Sequence, residues 1–309
     1  AIALDFAWFA QSGGHGDHAD VEIAIERRAP DFDSFGDLNA VFVTPRNVVY
    51  QDAGRTIVDY FGRAVSILDR RSRRLVVQGE DPHLVHEAAY HYIVSAVGRH
   101  LDARGLPRLH ALGLVGAQGA VAIMLPSGGG KSTLALQAIK TDGVKLLSED
   151  TPLLDRHGRL HPFPLRIGVN ATDAASLPAG NVRRLERMEF HPKLALEVEA
   201  FTDAIHVGPA PLRHIVIGRR TLGRSASLER LPRRRAAGTL LREVVVGVGV
   251  YQGMEFVLQR GMRDVLTQAR PAAVRSACCL AALRNAQVWR LNTGRDLDAN
   301  WDALEPLLR

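Results

Sequence analysis

The sequence predicts an α/β fold, a core in which strands alternate with helices, preceded by a small antiparallel β-rich domain. Three observations carry this expectation. Up to about residue 80, short β-type runs are separated by turn signals such as Gly13-Gly14, Pro45-Arg46-Asn47 and Asp52-Ala53-Gly54. After residue 80, segments of helical period alternate with apolar strands. Near the middle, an apolar strand runs directly into a glycine-rich loop and then a helix. The expected division is therefore residues 1–82 for the β-rich domain and 83–309 for the larger α/β domain.

In the first domain, strands are expected at residues 3–9, 21–27, 40–43, 48–51, 56–60, 64–69 and 75–78. The first ten residues are apolar apart from Asp5 and have no basic lead-in, so a strand is expected there and not a signal peptide. The chain opens on Ala1 and not Met, which suggests a trimmed start. His15 and His18 flank Gly16-Asp17; a solvated loop is the stronger expectation than a metal site. Asp81-Pro82 opens a helix, with Asp81 as N-cap and Pro82 in the first turn. Leu84, Val85, Ala88, Tyr92, Ala96 and Leu101 form its apolar stripe, and Gly105-Leu106-Pro107 stops it. Strands follow at 111–115, 120–125 and 144–147, the last two separated by the loop and its helix. Residues 170–240 are rich in Pro, Arg and Gly and read as the least regular part, the natural place for a mobile lid. A helix at 269–284, a strand at 287–291 and a helix at 298–308 close the chain.

Bulk properties narrow the function classes. No window of the 309 residues approaches the run of about 18 apolar residues that a spanning helix needs, so no membrane partner is expected. Cys278 and Cys279 are adjacent and belong to no metal-type spacing; two free thiols on a helix point to a reducing, cytoplasmic setting. The net charge of +6 favours anionic partners. Arginines gather at Arg70, Arg71, Arg73 and Arg74, at Arg183, Arg184 and Arg187, and at Arg230, Arg233, Arg234 and Arg235. No nucleic-acid motif accompanies them, and solvated loops account for them. Nothing in the sequence decides whether the chain forms a homo-oligomer.

The run Pro126-Ser127-Gly128-Gly129-Gly130-Lys131-Ser132-Thr133 lies between the strand ending at Leu125 and a helix beginning with Leu134 and Ala135. Strand, glycine loop and helix is the context of a P-loop that binds the phosphates of a nucleoside triphosphate. Glycines let backbone N–H groups point inward at the phosphates, and the helix N-terminus adds its partial positive charge. Ser127, Gly128, Gly129, Gly130, Lys131, Ser132 and Thr133 are the expected nucleotide-binding residues. Lys131 is expected at the β- and γ-phosphates and the Ser132 hydroxyl on Mg²⁺. Leu125 stands where the general pattern has its first glycine. A second strand ends in Ser148-Glu149-Asp150, where an acidic residue completes the Mg²⁺ site of P-loop proteins. Two adjacent acids allow one to hold metal and the other to accept a proton from an attacking hydroxyl.

These segments resemble the HPr kinase/phosphorylase family, P-loop Ser/Thr kinases distinct in fold from eukaryotic protein kinases. The match runs through Leu109-His110-Ala111, Pro126 to Ser132, and Ser148-Glu149-Asp150. Phe163-Pro164-Leu165-Arg166-Ile167-Gly168-Val169 is similar to the family's Glu-Ile-Arg-Gly segment, with Leu165 in the region of its Glu. Val288-Trp289-Arg290-Leu291, followed by Gly294-Arg295-Asp296-Leu297, resembles the tail of HPr-kinase-related proteins. The resemblance implies an HPr-kinase-like nucleotide-binding core with His110 and Arg166 in the active site. It also implies Glu149 as the catalytic base, and Asp150 with the metal. No counterpart of the HPr-docking signature is found, so an acceptor other than HPr is expected. HPr-kinase-like proteins of peptide natural-product clusters, lasso peptides included, phosphorylate a precursor peptide. The expected function is thus an ATP- and Mg²⁺-dependent kinase acting on a Ser or Thr hydroxyl of a peptide or small protein. The alternatives are a P-loop phosphotransferase with a small-molecule acceptor and a degenerate nucleotide-sensing partner protein.

Overall fold

The computed structural model describes residues 1–10, 19–52, 54–126, 128–170, 177, 181–186, 193–246 and 262–309. His15 and His18 lie outside the described residues, as do parts of the 170–240 stretch. The chain is mixed α/β and divides into two compact units: residues 1–94 with 184–193, and residues 95–183 with 194–309. The division falls inside a helix, whereas the expected boundary at 82/83 is where that helix begins.

The first unit carries a six-stranded sheet ordered β1-β6-β5-β4-β3-β2. Its strands are β1 (Glu22–Glu26), β2 (Ala40–Val43), β3 (Val48–Asp52), β4 (Arg55–Asp59), β5 (Ala64–Asp69) and β6 (Arg74–Gly79). β2 to β6 form an antiparallel meander, as short turns dictate. β1 instead pairs with β6 in parallel, which departs from a purely antiparallel sheet. The long connection between β1 and β2 permits this arrangement. The expected strand at 3–9 is a short helix, α1 (Ile2–Asp5), followed by a 3₁₀ turn, Ala7–Phe9. Its tertiary partner decides the matter. The buried Asp5 carboxylate meets His86 Nε2 at 2.6 Å, and Phe6 packs on Tyr90 with ring centroids 5.5 Å apart. Both partners lie on α2 (Pro82–Ala103). The small core beneath the sheet joins Leu75 and Val77 to Val85, Ala88 and Ala89 of that helix.

α2 begins as its sequence directs: the Asp81 carboxylate accepts from the His83 and Leu84 N–H groups at 2.9 and 3.4 Å. It stops at Gly105, whose φ of +77° is left-handed; Leu106 N–H donates to Leu101 C=O and Gly105 N–H to Asp102 C=O, a Schellman ending.

The second unit is built on an eight-stranded sheet. Its strands are β7 (Leu112–Gly116), β8 (Gly119–Met124), β9 (Lys145–Ser148), β10 (Leu153–Leu154), β11 (Arg159–His161), β15 (Ala210–Arg220), β16 (Ser227–Leu231) and β17 (Gln287–Thr293). A separate three-stranded sheet is ordered β12 (Ile167–Val169), β14 (Lys193–Leu196), β13 (Val182–Leu185). The helices are α3 (Lys131–Ala138), α4 (Arg234–Leu240), α5 (Met262–Asn285) and α6 (Leu297–Leu304). The main sheet runs β9-β7-β8-β15-β17-β16, with β11 and β10 added beside the start of β15. β15 is parallel to both β8 and β17. β7 is antiparallel to β8 and to β9, so β9 points the same way as β8. The carboxyl ends of β8, β9, β15 and β17 therefore share one edge with the amino ends of β7 and β16.

One face of this sheet, with Leu154, Leu160, Leu212 and Ile215, packs against Ala236 and Leu240 of α4 and Cys278, Cys279 and Ala282 of α5. Burial pushes the Cys278 thiol up to about 11 and Cys279 to about 12, so both are protonated packing groups at neutral pH. Arg275 of α5 is buried and paired with Asp102 at the end of α2, with Val245 C=O as a further acceptor. Among the described residues, no helix is long and apolar enough to cross a membrane.

Candidate active site

The glycine loop connects β8 to α3 at the carboxyl edge. Gly128 and Gly130 have φ of +71° and +102°, a region that a Cβ makes costly, and both point into open space. Gly129 is glycine for a different reason: a Cβ there would press on the Pro126 carbonyl oxygen at 2.7 Å, while its N–H closes the turn by donating to that oxygen. Leu125, at the position of the absent first glycine, is buried. Room for it comes from the neighbouring strand, where a side chain on Gly218 would overlap the Leu125 side chain. Ser127 lies outside the described residues.

Five of the expected residues come together because β7 starts where β8 and β9 stop. Lys131, buried at the first position of α3, directs Nζ at Leu125 C=O (3.1 Å), His110 Nε2 (3.1 Å) and Asp150 Oδ1 (3.3 Å). An ammonium only donates, so His110 Nε2 is the accepting nitrogen and Nδ1 carries the hydrogen. His110 Nδ1 lies 3.3 Å from Asp150 Oδ1, close but too poorly aligned for a full hydrogen bond. Ser132 donates from Oγ to Glu149 Oε1 at 2.6 Å. Backbone bonds hold this corner: Ala111 N–H to Asp150 C=O (3.0 Å), Leu109 N–H to Pro152 C=O (2.9 Å) and Thr151 N–H to Ser148 Oγ (3.0 Å). Crowding of the Asp150 carboxyl raises its pKa. The adjoining His110, then Lys131, outweigh that and hold it below the ordinary carboxylate range.

The two acids are therefore not equivalent. Glu149 sits on the hydroxyl that a P-loop gives to metal, and Asp150 sits on the lysine that a P-loop gives to phosphate. The resemblance implies Glu149 as the base and Asp150 with the metal. A Mg²⁺ site of this class uses one or two carboxylates together with substrate phosphates, and Ser132 with Glu149 fits that donor set. Among the described residues, no group of three or more His, Cys, Asp or Glu could hold a metal by itself. Thr133 occupies the first turn of α3, half-buried. Arg166 is half-buried just before β12, the strand that packs on α3.

Sequence reasoning missed one residue at this site. Arg220, the last residue of β15, donates from Nη1 to the Gly128 carbonyl at 3.0 Å. The signal was present as Ile215-Val216-Ile217, a short β-branched run of the kind a buried parallel strand shows. No known protein-family model matches this chain, and no curated protein matches it significantly.

Proposed function

We propose that the protein is an ATP- and Mg²⁺-dependent kinase with an HPr-kinase-like core. It transfers the γ-phosphoryl group to a Ser or Thr hydroxyl of a peptide or small protein. The observation that carries this reading is the double pairing at one sheet edge, Ser132 with Glu149 and Lys131 with Asp150 and His110. A glycine turn without these partners would need neither acid.

Each side chain has a task that follows from its contacts. Gly128 to Gly130 and the start of α3 bind the phosphates through backbone N–H groups. Lys131 exchanges its contact with Leu125 C=O for the β- and γ-phosphate oxygens. Ser132 and Glu149 would hold Mg²⁺, which would neutralise phosphate charge when bound. Asp150 accepts the proton of the attacking hydroxyl as its oxygen bonds to the γ-phosphorus and the bond to the ADP oxygen breaks. In a loose transition state that proton leaves late, so an ionised carboxylate of low pKa suffices. His110 keeps Asp150 and Lys131 in register. The net positive charge of +6 favours an acidic acceptor.

The test is incubation with Mg·ATP and a panel of acceptors, including HPr and a peptide encoded beside the gene, read by mass spectrometry. One phosphate added to Ser or Thr, and lost in Lys131→Ala, is the expected result. Tight nucleotide binding with no transfer to any peptide would overturn the peptide-kinase reading. Absence of nucleotide binding would overturn the whole of it.

A further inference from the structure

The β15–β17 side of the carboxyl edge is occupied by arginines. Arg219 and Arg220 end β15, Arg224 lies in the loop to β16, and Arg295 follows β17. The loops interlock: Arg295 N–H donates to Gly223 C=O at 2.8 Å, and Asp296 N–H to Arg224 C=O at 3.2 Å. All four side chains are exposed, and none forms an ion pair with another described residue. The one acid of these loops, Asp296, is committed to capping α6 through the Asp298 and Ala299 N–H groups. The patch is thus rich in positive charge that the described residues leave unbalanced.

Arg220 is the member that reaches the phosphate loop. The parallel register sets Ile217 beside Met124, which carries Arg220 past the end of β8 and alongside the loop. There its guanidinium rests on a neutral carbonyl, Gly128 C=O at 3.0 Å. A carbonyl is a weak partner for a guanidinium; a phosphate in the same loop is a stronger one, through charge-assisted and bidentate bonds. Lys131 and Asp150 approach the loop from the β7–β9 side and Arg220 approaches it from β15. The group between them is the phosphoryl group that Lys131 holds.

We infer that Arg220 is an arginine supplied in cis to the terminal phosphate of the bound nucleoside triphosphate, leaving Gly128 C=O when the nucleotide enters. The inference rests on the nucleotide-binding reading above. It goes beyond the P-loop motif, which contains no arginine.

Calorimetric titration with a non-hydrolysable ATP analogue and with ADP tests it, and needs no acceptor. Wild type, Arg220→Ala and Arg220→Lys are compared, with Arg219→Ala as the neighbouring control. Arg220→Ala is expected to weaken the triphosphate analogue about ten- to hundredfold while shifting ADP by less than about threefold. Arg220→Lys, which keeps the charge and loses the fork, should fall between, and Arg219→Ala should preserve the wild-type ratio. Equal losses for both nucleotides would reduce Arg220 to a general attractive charge and overturn the inference, as would no loss at all. A wild-type protein that binds neither nucleotide would defeat the nucleotide reading itself and this inference with it.

Discussion

The two halves of the carboxyl edge differ in how their charges are balanced. At the ends of β7, β8 and β9, every charged group has a protein partner: Lys131 with Asp150 and His110, and Glu149 with the Ser132 hydroxyl. At the ends of β15 and β17, Arg219, Arg224 and Arg295 face solvent, and Arg220 rests on a carbonyl. The first half is organised by folding itself, so its geometry stands ready before substrate arrives. Among the described residues, the second half has no acidic group paired with these arginines. The proposed phosphoryl transfer would use both kinds: fixed groups that define the reacting geometry, and a cation that can follow the charge.

The largest effect is expected inside the balanced half, and it separates the two acids. Asp150→Asn should lower kcat by about 10²- to 10³-fold with the Mg²⁺ requirement unchanged. Glu149→Gln should instead raise the Mg²⁺ concentration at half-activity by roughly 10- to 100-fold. Activity titrations over Mg²⁺ check both. Reversal of the two phenotypes would restore the assignment implied by family resemblance, with Glu149 as base.

A smaller effect is expected at the seam between the halves. Leu125 is 3% exposed and fills space left by Gly218. Leu125→Ala should destabilise the protein by about 2–5 kcal/mol, measured by denaturant unfolding. Gly218→Ala should cost about 1–3 kcal/mol by overpacking. A neutral Gly218→Ala would mean that the loop tolerates movement of Leu125 and that the seam does not set its shape.

The smallest effect belongs to the turn of the β10–β11 hairpin. The buried Asp155 carboxylate accepts from Arg159 Nε, His161 Nε2 and two backbone N–H groups of its turn. Burial raises its pKa, but the hydrogen bonds from His161, Arg159 and His157 prevail and lower it to about 2. A carboxyl depressed in the folded state stabilises above its ordinary range, and the gain is lost as pH falls from about 4 toward about 2. Asp155→Asn should cost about 1–3 kcal/mol at neutral pH, flatten the acid limb of a stability–pH curve, and leave nucleotide affinity unchanged. A change in affinity would show that the hairpin and the carboxyl edge are coupled.

Much of the site was legible locally. The loop glycines, Lys131, Ser132 and the acid pair follow from strand, loop and strand-end patterns a few residues long, whereas His110 was singled out only by the family resemblance. The start and stop of α2 at Asp81 and Gly105 are legible from equally short patterns. The helix at the amino terminus was not. Its apolar residues suit a strand equally well, and the buried partners on α2, His86 and Tyr90, choose between them. β15 was hidden too, since a strand buried between parallel neighbours lacks the alternation that marks a half-exposed one.

The sequence by itself determined the glycine loop between strand and helix, the two acids at a strand end and the α/β alternation, all set by short-range geometry and side-chain chemistry. Only the tertiary structure decided which acid meets Ser132, how Gly218 makes room for Leu125, and that Arg220 reaches the loop. These depend on strand order and register, which bring Ser132 to an acid 17 positions away and Arg220 to a glycine 92 positions away, and leave no trace in the spacing of either segment alone.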